Sequence, residues 1–103
     1  MDDAVLLEGL ILFCIKGEQD LGELEEVVAV GHRRYVVVDA RHWSYGARKL
    51  VPVDTVNVVG DGIERHAVTP ADRDWLRYSP DFDPFQLTNP GYVNRVERYF
   101  AQG

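Results

Sequence analysis

Cysteine is almost missing from this chain. Cys14 stands alone, so no internal disulfide can form, and its apolar setting in Ile11-Leu12-Phe13-Cys14-Ile15 predicts a buried, inert thiol. Metal ligands are equally sparse: beside that one cysteine, His32, His42 and His66 show no ligand-pair spacing, which argues against zinc. Long apolar runs are lacking too. The longest, Leu10 to Ile15, falls far short of the ~20 residues that cross a bilayer. The opening Met1-Asp2-Asp3 lacks the positive region of a secretory signal. The expectation is a soluble, cytoplasmic protein that does not insert into membranes. Gly60-Asp61-Gly62 lacks the spacing and following helix of a phosphate loop, so a tight turn is expected there and no cofactor is predicted.

Positive charge is in short supply, and unevenly so. The 103 residues carry 11 Lys and Arg against 17 Asp and Glu, a net charge of −6. Residues 1–26 hold eight acids against Lys16, a net −7. Residues 27–51 hold Arg33, Arg34, Arg41, Arg48 and Lys49 against Asp39, a net +4. An acidic chain argues against non-specific nucleic-acid binding, which depends on accumulated positive charge. The basic middle segment keeps nucleic acid as the alternative partner. The simpler reading is that acidic and basic strands pair across one sheet.

What the chain does have is short apolar, β-branched runs separated by turns, with an apolar fraction of 46% that is enough for one core. Residues 5–15 read as a first strand, although Leu6, Leu7, Leu10 and Ile11 also fit a helix. Leu24, Val28 and Val30 share one face of a second strand, and Glu25-Glu26-Val27 breaks the alternation as a bulge would. Tyr35 to Asp39 carries three successive valines, the mark of a strand packed on both faces. Lys49 to Val53 returns, then Val56 to Val59 and Ile63 to Val68 pair through the glycine turn. Thr69-Pro70 predicts a capped helix to about Tyr78, and residues 79–84 should be extended because of their prolines. Asn89-Pro90 starts a second helix, with Val93, Val96 and Phe100 forming its apolar stripe.

The order Asp20-Leu21-Gly22-Glu23-Leu24-Glu25-Glu26-Val27, Arg34-Tyr35-Val36-Val37-Val38-Asp39 and Lys49-Leu50-Val51-Pro52-Val53 resembles the PRC-barrel family. The Gly60-Asp61-Gly62 turn and the Leu76 to Pro84 segment are similar to that family's closing hairpin and the short helix after it. The resemblance implies a mainly β fold: a small barrel of about six antiparallel strands with one or two short C-terminal helices. It divides the chain into a barrel over residues 1–84 and a helical tail over 85–103, packed on the barrel or on a second subunit. A free-standing bacterial member of this family is expected to be non-enzymatic, a protein-interaction or assembly module. The family's known settings, the reaction-centre H subunit and a ribosome-maturation factor, both work by docking on other proteins. The alternative is an RNA- or ribosome-associated accessory protein that uses the basic middle strands and loop.

The loop between the third and fourth strands departs most from the family pattern. Arg41-His42-Trp43-Ser44-Tyr45-Gly46 is more basic and aromatic than a glycine-rich loop. Asp39, His42 and Ser44 offer an acid, a base and a hydroxyl, but a triad is defined by geometry, not sequence neighbours. Tryptophan, tyrosine and arginine are the types most enriched at interface hot spots. The expected partner-binding surface is therefore Arg41, His42, Trp43, Tyr45 and Arg48. Trp43 has a competing role as a cap on the core. Small barrels with unpaired edges often dimerise, so a homodimer is expected.

Overall fold

A computed structural model describes residues 7–17 and 19–101 of the chain. Six strands form one sheet: β1 (Ile11–Cys14), β2 (Asp20–Val30), β3 (Arg33–Asp39), β4 (Arg48–Pro52), β5 (Asn57–Val59) and β6 (His66–Thr69). Short 3-10 turns at Val53–Thr55 and Gly62–Glu64 flank β5. Two helices follow, α1 (Arg73–Arg77) and α2 (Pro90–Ala101). None among the described residues is long and apolar enough to cross a membrane. The protein is mainly β, as the sequence predicts.

The sheet runs β4-β3-β2-β1-β6-β5 and differs from the expected all-antiparallel barrel in two ways. It is mixed, because β6 pairs parallel to β1, with Leu12 opposite Ala67 and Cys14 opposite Thr69. A parallel pair requires a long crossover, and the intervening strands supply it. The sheet is also open, with β4 and β5 at its two ends. The outer side of β4 is occupied by the chain after α1, through a Lys49–Asp81 bridge and a Phe82 N–H to Arg48 carbonyl bond of 2.8 Å.

Local sequence explains most elements. The register of β2 against β3 shifts between Leu24 and Val27, the bulge expected from Glu25-Glu26. Gly22 lies where β2 presses hardest on its neighbour. Its φ is 121°, and a Cβ there would stand 2.1 Å from the Asp39 carbonyl oxygen, so only glycine fits. Tyr35, Val36, Val37 and Val38 are all buried, which fills both faces of β3.

Several expectations shift at their boundaries, among them the fourth strand, which ends at Pro52 because Val53 enters a 3-10 turn. The first strand contracts to Ile11–Cys14, because residues 7–9 turn instead; residues 5 and 6 lie outside the described residues. The last strand starts at His66, since Gly62–Glu64 coils into its 3-10 turn. The helix cap expected at Thr69 belongs to Asp72, whose carboxylate accepts the Trp75 N–H at 2.8 Å. Thr69 stays in β6, where its carbonyl accepts the Ile15 N–H at 3.0 Å, so strand pairing outcompetes capping there.

Helix α2 begins at Pro90 as expected and lies against the sheet, with the Phe100 ring 5.4 Å from that of Tyr35. Trp75 joins the same aromatic group, 5.0 Å from Tyr99 and 5.3 Å from Phe100. The Tyr99 hydroxyl donates to the Trp75 carbonyl. Tyr92, almost fully buried, donates to the Asp81 carbonyl at 2.6 Å and accepts the Asp83 N–H at 3.2 Å. Burial pushes the phenols of Tyr35 and Tyr92 above their ordinary range.

The charged group most deeply placed is Lys49, only 2% exposed. Its ammonium donates to the Arg77 carbonyl at 3.2 Å, the Ser79 carbonyl at 2.8 Å and the Asp81 carboxylate at 2.6 Å. It thereby ties β4 to the C-terminal end of α1, where carbonyls lack helical partners and a cation is favoured. Replacing Lys49 by Met should cost about 2–3 kcal/mol in urea unfolding, because buried acceptors lose their donor. Asp81→Asn should cost under about 1 kcal/mol, since that side chain is 64% exposed and the two carbonyls remain.

Candidate functional site

The β3–β4 loop is built by short local bonds. The Ala40 carbonyl accepts both the Trp43 N–H at 3.1 Å and the Ser44 N–H at 2.8 Å, and the Ser44 carbonyl accepts the Ala47 N–H at 2.9 Å. To close the turn the chain passes through the left-handed region twice, at Tyr45 (φ 49°) and Gly46 (φ 80°). Glycine takes that conformation freely, whereas a tyrosine there stores about 1 kcal/mol of strain. Tyr45 is the one non-glycine residue with positive φ among those described, and it is 97% exposed.

The five residues expected to form a contact surface separate into two groups. Trp43, Arg41 and Arg48 are held by the protein itself. The Trp43 indole N–H donates to the Leu21 carbonyl at 3.0 Å, its ring packs against the core, and the Arg73 guanidinium stands 5.5 Å from the ring centre. Arg73 in turn donates to the Asp20 carbonyl at 2.6 Å, so Trp43 links the loop to both β2 and α1. Arg41 forks onto Asp39 with two bonds of 2.8 Å, and Arg48 crosses β3 to reach Glu25 at 2.7 Å. His42 and Tyr45 are exposed at the loop surface without such a tie among the described residues, and Arg41 is exposed beside them. Trp43 therefore takes the capping role that competed with contact duty.

The other groups weighed from sequence are also placed. Arg33 pairs with Asp54 at 3.0 Å and donates to the Phe100 carbonyl at 3.4 Å. Of the expected cross-sheet pairs the structure shows Arg48 with Glu25, whereas Arg33, Arg41 and Lys49 engage Asp54, Asp39 and Asp81 instead. Asp39 accepts Arg41 on both oxygens, Ser44 is buried, and no hydrogen bond joins either to His42 among the described residues. No group of three or more acids, histidines and cysteines suited to a metal occurs among the described residues.

The charge reading along the chain missed a second cluster. Arg77, Tyr78, Arg95 and Arg98 border one cleft between the end of α1 and α2. Two of these were marked in the sequence, since Arg95 and Arg98 lie three apart and have no acid at i±4 to pair with. Their approach to Arg77 and Tyr78 follows only from helix packing.

Comparison with protein-family models, with curated proteins and with solved structures gave no match.

Two measurements test this geometry. Trp43→Ala should lower unfolding stability by about 2–3 kcal/mol and Trp43→Phe by about 1 kcal/mol, the second losing little beyond the indole hydrogen bond. The hydrogen bonds from Arg41 hold the Asp39 carboxyl down to about 2 from 3.8. Because the folded value is the lower one, this contribution to stability is complete above the unfolded value and is lost as pH falls toward 2. An NMR titration should place the Asp39 midpoint near 2, and Arg41→Gln should return it toward 3.8.

Proposed function

We propose that this chain is a non-enzymatic protein-interaction module of PRC-barrel type, gripping its partner with the β3–β4 loop. The observation that carries this reading is Tyr45, a large ring almost fully exposed and held in a conformation that costs the fold energy. Nothing in the core requires it, and a strained residue that contributes no packing is a mark of use elsewhere. The loop beneath it is fixed at both ends by Arg41–Asp39 and Arg48–Glu25, and on its inner side by Trp43. A rigid platform presents a ring with little entropy left to lose on docking, which favours an interface anchor. His42 stands exposed on the same loop and completes the contact.

The PRC-barrel part of the reading rests on the order of motifs around the Tyr35-Val36-Val37-Val38-Asp39 strand and on the six-strand sheet with its C-terminal helix. Self-association belongs to the same reading, because β5 is a short sheet edge with Val58 and Val59 each 38% exposed. Sedimentation equilibrium distinguishes one copy from two.

Tyr45→Ala provides the direct test. It should leave the unfolding midpoint within about 0.5 kcal/mol of the parent while abolishing capture of a partner from an extract of the native cells. Undiminished capture by that variant would sink the proposal.

A further inference from the structure

The cleft between α1 and α2 has a chemistry of its own, separate from the Tyr45 loop. It is a shallow, open depression of about 610 Å³, and Arg77, Arg95 and Arg98 line it together with Tyr78, which is 77% exposed. Arg98 makes no ion pair or hydrogen bond among the described residues, and Arg95 meets only the Tyr92 ring, 5.7 Å away. Arg77 is held by a single exposed contact to Asp74 at 3.3 Å, a pair worth little in water. The acid on the cleft wall, Asp81, is already neutralised by the Lys49 ammonium. A chain of net charge −6 thus concentrates two unpaired guanidinium groups and a third, weakly paired one around an exposed ring.

We infer that this cleft binds a short acidic segment of a partner protein, with Arg95 and Arg98 each taking a carboxylate and Tyr78 covering the segment's backbone. Guanidinium forks match carboxylates in two-point contacts, which a lysine cannot do. Spacing supports an extended ligand. Residues three apart on a helix stand about 5–6 Å apart at Cβ, and alternate side chains of an extended chain are separated by about 6.6 Å. Two acids with one residue between them therefore meet Arg95 and Arg98 together.

The same charges favour a peptide over a nucleic acid. At physiological ionic strength fields decay over about 8 Å, so a short segment within the cleft senses the guanidinium groups alone. A polynucleotide long enough to leave the cleft would run over an otherwise acidic molecule.

Fluorescence anisotropy with a labelled peptide of alternating glutamate and glycine tests the inference on the full chain. The peptide should bind and be released by added salt, and its glutamine counterpart should not bind. Arg98→Glu should weaken binding at least about tenfold with an unchanged circular dichroism spectrum, because Arg98 holds nothing in the fold. Arg95→Gln combined with Arg98→Gln should remove binding, and Tyr45→Ala should leave it intact, separating this cleft from the loop. Failure of the acidic peptide to bind, equal binding of the glutamine peptide, or an unchanged affinity in Arg98→Glu would overturn the inference. Tighter binding of an oligouridine of equal charge, lost in Arg98→Glu, would also overturn it and reassign the cleft to nucleic acid.

Discussion

Four consecutive side chains of β3, Tyr35 to Val38, are shut off from solvent, and consecutive side chains in a strand point to opposite faces. Both faces must then be covered, which one layer of antiparallel sheet cannot do alone. The chain after β6 covers the face that Tyr35 presents. Phe100 on α2 lies against Tyr35, Trp75 and Tyr99 close around Phe100, and Leu76 of α1 enters the core. Lys49 belongs to the same arrangement. Its cation holds the end of α1 and the strap at Ser79 and Asp81 against the edge strand β4, so the cover is fastened where the sheet ends.

The β3–β4 loop inherits its rigidity from that frame. Trp43 reaches down to Leu21, and Arg73 of α1 stands over its ring, so the loop is gripped by elements far away in sequence. The result is a division of labour within five adjacent candidates. Trp43, Arg41 and Arg48 hold the loop, Arg41 while still exposed, and Tyr45 and His42 face outward without such a tie among the described residues. Aromatic and basic residues in one loop look alike in a sequence, but a ring that closes a core and a ring that faces solvent differ by more than their chemistry.

Much of the architecture was legible along the chain because it rests on local signals. The valines of β3, the bulge at Glu25-Glu26 and Pro90 at the start of α2 each follow from backbone sterics or side-chain alternation. The Thr69 cap was misplaced because a distant contact, the pairing of Cys14 with Thr69, prevailed over the local capping signal. Of the candidate loop, the residue types were legible, and the division between residues tied into the fold and those left untied was not. Lys49 sat unnoticed among basic neighbours, since nothing in Arg48-Lys49-Leu50 tells which cation turns inward.

By itself, then, the sequence determined a mainly β domain with six short strands, a loop rich in rings and cations, and a C-terminal helix with one apolar stripe. Period, turn chemistry and β-branching act over a few residues, so they survive in the order of the letters. Tertiary structure alone decided the parallel pairing of β6 with β1, the open ends at β4 and β5, the burial of Lys49, the capping role of Trp43 and the gathering of Arg77, Arg95 and Arg98. Each of these joins residues from distant parts of the chain, and such contacts are chosen by packing and charge neutralisation in three dimensions.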